Sequence, residues 1–456
     1  MILDQSEAAD NARVLEGGEW SRERWWNRLI QVCRRWRYLV LDSAYYLRIS
    51  LVCARGTPVA DMLKHSPPLP IIIDHVDPDD GIMEEDEEGI ILALQHRDRV
   101  RRIRILKPIP ILQKLILALD GNFPILEFLL IEHQRYHFPV IEHKTNLNFP
   151  ETFRAPHLRE LLLKNFATPI ESPTFTIMGN LITLFLAKIP SSVYFHPNAL
   201  IQWLSLIPQL ETLGIGFNYY NPSRDIEQQL LRTSIKTRVT LPNLRWLEFR
   251  GSSAYLEVLL AWATIPLLET LIVSFYHGMF YSVPHLRQIM DTARNLRPKT
   301  VWISFEEDYF RVRAYPYEVA KVYALFTELG GKHFDWQVVS AAQVFQAFTK
   351  VFSGVEHLTL EYYRHGMSSE WNNEADPTHW RGILGLFGKL KTLCVEYGLV
   401  EQVSRALQPG EGESPTELLP ELQELSYSTT GSSPDAFTLF VDAHRKAGHP
   451  VDVVRF

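Results

Sequence analysis

One short pattern of apolar and polar positions recurs along the chain. It reads proline, any residue, an apolar residue, two further residues, leucine, one residue and a last apolar residue. It stands at 124–131, 156–163, 208–215, 242–249, 266–273 and 420–427, and glycine replaces the proline at 179–186 and 388–395. Because side chains alternate across a strand, the final leucine-x-apolar step predicts a short strand with one buried face.

Weaker versions of the pattern extend the series to twelve predicted strands. The central residues are Ile103, Leu129, Leu161, Leu184, Leu213, Leu247, Leu271, Val301, Trp336, Leu358, Leu393 and Leu425. Their mean spacing is about 29 residues, which resembles the leucine-rich repeat with its usual period of about 20–29 residues.

The segments between the strands have a helical pattern. Apolar residues recur at i, i+3 and i+4 in 199–207, 254–264, 283–293, 341–352 and 434–448. Ser340 and Ser433 are predicted helix caps, with Pro434 in the first turn. Strand and helix in alternation predict an α/β fold, an irregular leucine-rich-repeat solenoid with a curved parallel sheet and outer helices over 46–456. We expect about 11–12 irregular repeats, with insertions near 218–238, 305–325 and 364–380.

A doubly wound α/β enzyme would also alternate strands and helices. Such an enzyme normally carries a glycine-rich phosphate-binding turn, and neither GxGxxG nor GxxxxGK[ST] occurs here. The sequence also has no GxSxG turn around a nucleophilic serine. We therefore expect a protein that is not an enzyme and that has no cofactor.

Before the repeats, residues 20–41 predict an amphipathic helix. Trp25, Leu29, Val32, Trp36 and Leu39 recur at spacings of three and four, and most of the arginines lie off this stripe. The arginines are predicted to be a solvated face. A nucleic-acid contact and a calmodulin-type site are the alternatives.

Within this helix, VCRRWRYLV resembles the second half of the F-box motif, V-C-x-x-W-x-x-L. The later phrases CARGTPV, LPIIID and ALQHRDRV extend the resemblance to F-box-like, leucine-rich-repeat proteins expanded in mushroom-forming fungi. No Leu-Pro-x-E opening stands in residues 1–20. The expected organisation is therefore a flexible tail (1–20), a partial F-box-like helix (21–45) and the solenoid (46–456).

The resemblance implies the substrate receptor of an SCF-type ubiquitin ligase, which binds a Skp-type adaptor and an unknown protein substrate. The implied adaptor-binding or F-box core residues are Leu29, Val32, Cys33, Trp36 and Leu39. The alternative is a stand-alone repeat scaffold that binds no adaptor. Aromatic residues just past the strands are predicted to contact the partner, namely Tyr219, Tyr220, Phe275, Tyr276, Phe305 and Tyr362.

Composition and charge limit the other possibilities. A net charge of −7 provides no general attraction to nucleic acid or anionic membranes. Three separated cysteines and the absence of a signal-peptide pattern predict a cytoplasmic or nuclear protein that is not secreted. The acidic run 74–88 does not match a calcium loop, and His133 with His137 lacks the HExxH pattern of zinc sites, so no metal is expected.

Overall fold

The computed structural model describes residues 29, 31–42, 50–54, 57–76, 84–133, 149–166, 170, 178–190, 193–218, 238–275, 283–293, 296–306, 309–316, 325–330, 333–362, 375–396, 398–408, 417–428 and 435–456. The chain divides into two compact units, Met1–Thr183 and Leu184–Phe456. None of the helices in the described residues is long and apolar enough to cross a membrane.

The first unit is a parallel sheet with helical connections. Its elements are α1 (Arg34–Asp42), β1 (Leu51–Ala54), α2 (Val59–His65), β2 (Ile71–Val76), α3 (Glu84–Gln95), β3 (Val100–Lys107), α4 (Ile109–Leu117), β4 (Phe128–His133) and β5 (Glu160–Lys164). The strands follow one another in chain order, and each pairs with the next in parallel. One residue per strand forms a continuous row in register, and every member of the row is fully buried: Cys53, Ile73, Ile103, Leu129 and Leu161.

The second unit begins at Leu184, the second residue of β6 (Thr183–Ile189). It also contains α5 (Pro197–Leu204), β7 (Thr212–Phe217), β8 (Val239–Thr240), β9 (Trp246–Gly251), α6 (Ser253–Trp262), β10 (Ala263–Thr264), β11 (Thr270–Phe275), α7 (Pro284–Thr292), β12 (Thr300–Phe305), β13 (Tyr309–Tyr315), β14 (Leu325–Gly330), α8 (Phe334–Ala347), α9 (Thr349–Phe352), β15 (His357–Tyr362), α10 (Pro377–Leu384), β16 (Thr392–Val395), α11 (Val400–Leu407), β17 (Glu424–Tyr427), α12 (Thr438–Lys446) and β18 (Asp452–Arg455). The strand order in its main sheet is β6-β7-β9-β11-β14-β13-β12-β15-β16-β17-β18, and β8 pairs separately with β10.

The predicted central residues form the buried row of the second unit as well. Leu213, Leu247 and Leu271 stand in register across β7, β9 and β11. A second run joins Val301, Leu358, Leu393 and Leu425 across β12, β15, β16 and β17. We call these in-register rows the core ladder. The recurring sequence pattern therefore marks one core position per strand–helix repeat, which confirms the predicted α/β class with a parallel sheet.

The antiparallel hairpin between β11 and β12 was not predicted. β14 pairs in parallel with β11, and β13 pairs antiparallel with both β14 and β12. The predicted strand around Trp336 is wrong, because Trp336 lies in α8 and is 63% exposed. The insertion expected near 305–325 contains β13, and its chain returns through β14 to complete the sheet.

Most predicted helices are confirmed with shifted ends. The patterns at 199–207, 254–264 and 283–293 correspond to α5, α6 and α7. Ser340 is not a cap, because α8 already begins at Phe334. Ser433 and Pro434 lie outside the described residues, whereas Ser252 caps α6 by accepting a hydrogen bond from the Tyr255 N–H at 3.3 Å.

Candidate partner-binding surface

Strand β12 presents opposite kinds of side chain on its two faces. Val301, Ile303 and Phe305 are fully buried, and Phe305 packs against Phe334 of α8 and against α10, so this face points to the helices. Since side chains alternate, Trp302 points to the other face of the sheet, where it is 37% exposed.

Trp302 is the centre of a small group of side chains on that open face. Arg313 of β13 stands directly opposite it, and Thr359 of β15 is its neighbour on the other side. The Tyr315 ring meets the Trp302 ring edge-on, with 6.4 Å between centroids. His357 lies next to Thr300 in the same register and forms a 2.7 Å contact from Nδ1 to the Thr392 hydroxyl. We call Trp302, Arg313, Tyr315, His357 and Thr359 the Trp302 surface.

A polar cluster holds the start of β13 in place. The Arg311 guanidinium lies 3.4 Å from a Glu306 carboxylate oxygen and donates a 3.0 Å hydrogen bond to the Tyr309 hydroxyl. Gln337 of α8 donates from its side-chain amide to the Glu306 carbonyl at 2.7 Å. Arg311 is 5% exposed, so these contacts are shielded from solvent and hold the side chains in a defined geometry. The hairpin that carries Arg313 and Tyr315 therefore has a fixed base.

The Trp302 surface has a sharp boundary on the same face of the sheet. Ser304 and Glu361 are the neighbours toward the carboxyl ends of β12 and β15, and they are only 3% and 2% exposed. On β12 this face is therefore exposed at Trp302 alone, between the buried Thr300 (4% exposed) and Ser304. An exposed tryptophan beside arginine and tyrosine is typical of the residues that contribute most to protein–protein binding energy.

A charged residue stands two positions before most members of the core ladder, with alternating sign along each run. These residues are Arg101, Glu127 and Arg159, then Glu211, Arg245 and Glu269, and finally Lys299, Glu356 and Lys391. Arg101 pairs with Glu127 at 2.9 Å, and Arg245 pairs with Glu269. This row was not predicted, although the charge before most of the leucine patterns is visible in the sequence.

Within this row of charged residues, the pKa of Glu356 is shifted most by its neighbours. Glu356 accepts hydrogen bonds from Lys299 and, at 2.6 Å, from Lys391. These bonds lower the pKa of its carboxyl from 4.5 to about 2, and they raise the pKa of Lys391. Glu356 lies one residue before His357 of the Trp302 surface and ties β12 to β15 and β16 at their amino-terminal ends.

Replacing Glu356 by glutamine is expected to reduce stability in a pH-dependent way. The folded-state pKa lies below the unfolded value, so the carboxylate contributes stability above about pH 4.5 and loses it as the pH falls toward 2. The Glu356→Gln variant should melt below the wild type at pH 7, and the two melting temperatures should converge between pH 4.5 and 2. Thermal unfolding recorded across this pH range measures the two melting temperatures. A constant difference between them at every pH would contradict the stabilising role of the Glu356 carboxylate.

Of the six aromatic residues predicted to contact a partner, the three in the described part of the chain face the helices. Phe275 and Phe305 are 2% and 0% exposed, so they are core residues. Tyr362 is half-buried and packs against Phe334 at 5.5 Å. All three stand four positions after a core-ladder residue, and an even step along a strand returns to the same, helix-facing side. Tyr219, Tyr220 and Tyr276 lie outside the described residues.

The opening helix also differs from expectation. The apolar stripe of the predicted amphipathic helix is largely open, because Val32, Trp36 and Leu39 are 63%, 47% and 53% exposed. Cys33 is exposed, and Leu29 is half-buried. Val40 alone among residues 31–40 is buried. Helix α1 therefore presents an apolar face to solvent, and the packed core of an F-box is not observed in the described residues.

The other residues considered for chemistry form no reactive or metal-binding centre in the part of the chain that is described. Burial raises the pKa of the Cys53 thiol to about 11 and also raises that of Cys394, so both thiols stay protonated at neutral pH. The described residues contain no group of three histidine, cysteine or acidic side chains that could hold a metal. His133 ends β4, whereas His137 lies outside the described residues.

Comparison with known proteins gives distant structural similarity only. No protein-family model matches the sequence, and no curated protein matches it. The chain is similar to TLR13 in the crystal structure of its complex with ssRNA13, with 14% identity, a TM-score of 0.32 and coverage of 82% of this chain. It spans 45% of the TLR13 chain, less than half its length. It is also similar to the leucine-rich-repeat-containing protein LegL7 from Legionella pneumophila, with 11% identity, a TM-score of 0.27 and coverage of 87% of this chain and 98% of LegL7.

Proposed function

We propose that this chain is a non-catalytic protein-recognition module and that the Trp302 surface is its contact with a protein partner. The observation that carries the proposal is the exposed Trp302 ring beside Arg313 and Tyr315 of β13, on a strand whose other face is buried in the core. Truncating such a centrally placed aromatic residue typically costs about 2 kcal/mol or more of binding free energy. A rigid sheet also loses little conformational entropy on binding.

A more specific proposal names the kind of partner, a substrate that the chain delivers to a ubiquitin ligase. It rests on the F-box-like phrase VCRRWRYLV and on the exposure of Trp36 and Leu39 in α1 and of Val32 just before it. An apolar helix face that is open to solvent suits insertion into the groove of another protein. In this proposal α1 binds a Skp-type adaptor and the Trp302 surface holds the substrate.

The second candidate is a stand-alone repeat scaffold without an adaptor. It is favoured by residues 1–20, which lack the Leu-Pro-x-E stretch with which an F-box begins. Both candidates require the Trp302 surface, and they differ only in the role of α1.

Partner recognition is tested by affinity enrichment with the whole chain as bait. We expect the Trp302→Ala variant to bind its specific partners about thirtyfold more weakly, because loss of a hot-spot side chain costs about 2 kcal/mol or more and each 1.4 kcal/mol is tenfold in affinity. Trp336→Ala is the matched control, since Trp336 is more exposed but lies on α8. Quantitative mass spectrometry should show proteins that are lost with the first variant and kept with the second. Equal loss, or no loss, with both variants would reject the Trp302 surface.

Adaptor binding is tested separately with purified Skp-type adaptor. A Trp36→Ala, Leu39→Ala double variant should lose capture, because both side chains lie on the exposed stripe. Tyr38→Ala is the control, since Tyr38 is 70% exposed on another side of α1. Retained capture by the double variant, or no capture by the wild type, would leave the scaffold as the function. Salt-dependent binding of DNA or RNA would instead favour the basic-helix alternative.

A further inference from the structure

Arg313 is the cation of the Trp302 surface, and it forms no ion pair in the part of the chain that the structure describes. Arg311, two positions earlier on the same face of β13, lies 3.4 Å from the Glu306 carboxylate. Arg313 has no such neighbour, and its buried Nε has no hydrogen-bond partner. A guanidinium presents a planar set of N–H donors that fits a carboxylate. The Trp302 surface therefore offers a donor group whose natural complement is a carboxylate of the partner.

A second polar group on the same face also lacks a partner. Thr300 stands opposite Tyr315 of β13 and beside His357 of β15, two positions before Trp302. It is 4% exposed, and its hydroxyl makes no hydrogen bond within the described residues. A buried polar group without a hydrogen bond costs free energy, so such groups are uncommon away from binding sites. Thr300 and Arg313 both mark the Trp302 surface as a place where polar groups of a partner are accommodated.

The same face of the sheet becomes acidic beyond Thr359. Cys394 of β16 is paired in register with Thr359, and Glu396 lies two positions later on the same side. Glu424 of β17 stands one position before the core ladder, so it also lies on the open face, where it is exposed. Burial raises the pKa of the Cys394 thiol, and nearby carboxylates that include Glu396 and Glu424 raise it further. Neither Glu396 nor Glu424 forms an ion pair with another described residue.

The distance between the two charged ends follows from the strand order. β13, β12, β15, β16 and β17 are successive neighbours in the sheet, with Trp302 on the second of them. Adjacent strands lie about 4.8 Å apart, so Glu396 and Glu424 are about 14 Å and 19 Å from Arg313 across the strands. An extended chain advances about 3.3 Å per residue, and about four to six residues cover that distance.

We propose that the Trp302 surface binds an extended segment of the partner that carries opposite charges at its two ends. A carboxylate of the segment pairs with Arg313, an apolar side chain packs on Trp302, and a lysine or arginine lies between Glu396 and Glu424. This proposal rests on the proposed function, because it assumes that the Trp302 surface holds the partner. The charges also fix the direction of the segment, since the reverse direction would place like charges together at both ends.

The probe for the test is a peptide selected on the whole chain. A random-peptide library displayed on phage is first passed over the Trp302→Ala variant, which removes peptides that bind elsewhere, and then over the immobilised wild-type chain. We expect the enriched peptides to carry an acidic and a basic residue about four to six positions apart, with an apolar residue between them. The most enriched peptide is synthesised with a fluorescent label, and its affinity is measured by fluorescence anisotropy.

Reversing the charge at either end should weaken binding of the labelled peptide about tenfold or more, because attraction becomes repulsion. The variants are Arg313→Glu and Glu424→Lys. Arg287→Glu is the matched control, since Arg287 is exposed on α7 in the helix layer, and it should leave the affinity unchanged. A second peptide, with lysine in place of its acidic residue, should bind Arg313→Glu more tightly than it binds the wild type. An unfolded variant could not show this gain.

The outcomes separate this inference from the proposed function. Peptides that depend on Trp302 but lack the charge pattern, or that bind Arg313→Glu and Glu424→Lys as well as the wild type, would overturn the inference and leave the Trp302 surface as the partner site. Equal weakening by Arg287→Glu would also overturn it, because the charge effect would then not be local. If no peptide depends on Trp302, the inference fails, and affinity enrichment with Trp302→Ala decides whether the proposed function fails with it.

Discussion

Replacing Trp380 by alanine is expected to lower the free energy of unfolding by about 3–5 kcal/mol, the usual cost of removing a large aromatic side chain from a core. Trp380 is fully buried on α10. Its ring lies 5.5 Å from the Phe305 ring and 6.3 Å from the Phe334 ring, so it joins α10 to β12 and α8. Urea unfolding followed by circular dichroism measures the change in the unfolding free energy.

The matched control is Trp336→Ala. Trp336 contacts the His333 ring at 5.2 Å but is 63% exposed, so its removal should change stability by less than about 0.5 kcal/mol. Equal destabilisation by the two variants would mean that the Trp336 side chain is packed in the core. Trp380→Ala should also weaken partner capture, because β12 carries Trp302 on its opposite face.

Replacing Leu247 by alanine is expected to cost about 2–5 kcal/mol, as for other buried leucines. Leu247 is 1% exposed and stands between Leu213 and Leu271 in the core ladder. Truncation leaves a cavity that rigid neighbouring strands cannot close, so the cost includes lost packing as well as lost burial. The measurement is again the free energy of unfolding in urea.

Leu206→Ala is the control for the ladder variant. Leu206 follows α5 and is 49% exposed, so its truncation should cost less than about 0.5 kcal/mol. A small cost at Leu247, close to that at Leu206, would show that the ladder position is not a packed core position. If only Leu247→Ala greatly lowers the free energy of unfolding, we expect the same of alanine variants at Leu358 and Leu393, which occupy equivalent positions in the core ladder.

The predicted binding residues show where reading along the chain is misleading. Phe275, Phe305 and Tyr362 follow apolar strand patterns and looked like aromatic side chains at the surface. They stand an even number of positions from a core-ladder residue, so they face the helices. Trp302 stands one position after Val301, and the same alternation places it on the open face. Counting from the ladder would have placed Trp302 on the open face and Phe305 on the helix-facing side of the sheet.

The sequence by itself determined the repeating part of this protein. One leucine pattern per repeat places Leu247, Leu358 and their equivalents in register, and periodic apolar residues mark α5, α6 and α7. These features are local, because the alternation of a strand and the turn of a helix act over a few residues. The position of a buried leucine could therefore be read without knowing its neighbours in space.

Only the tertiary structure decided which strands are neighbours and which side chains remain exposed. The segment around Trp336 has an apolar pattern that fits either a strand or a helix, and packing against β13 and β14 makes it a helix. The hairpin β13–β14 lies between β11 and β12 through pairings of residues far apart in sequence, such as Leu271 with Leu325. Such pairings depend on hydrogen bonds across the whole sheet, which no local pattern specifies. The exposure of Trp302, beside the strands that the hairpin adds, follows from those long-range pairings.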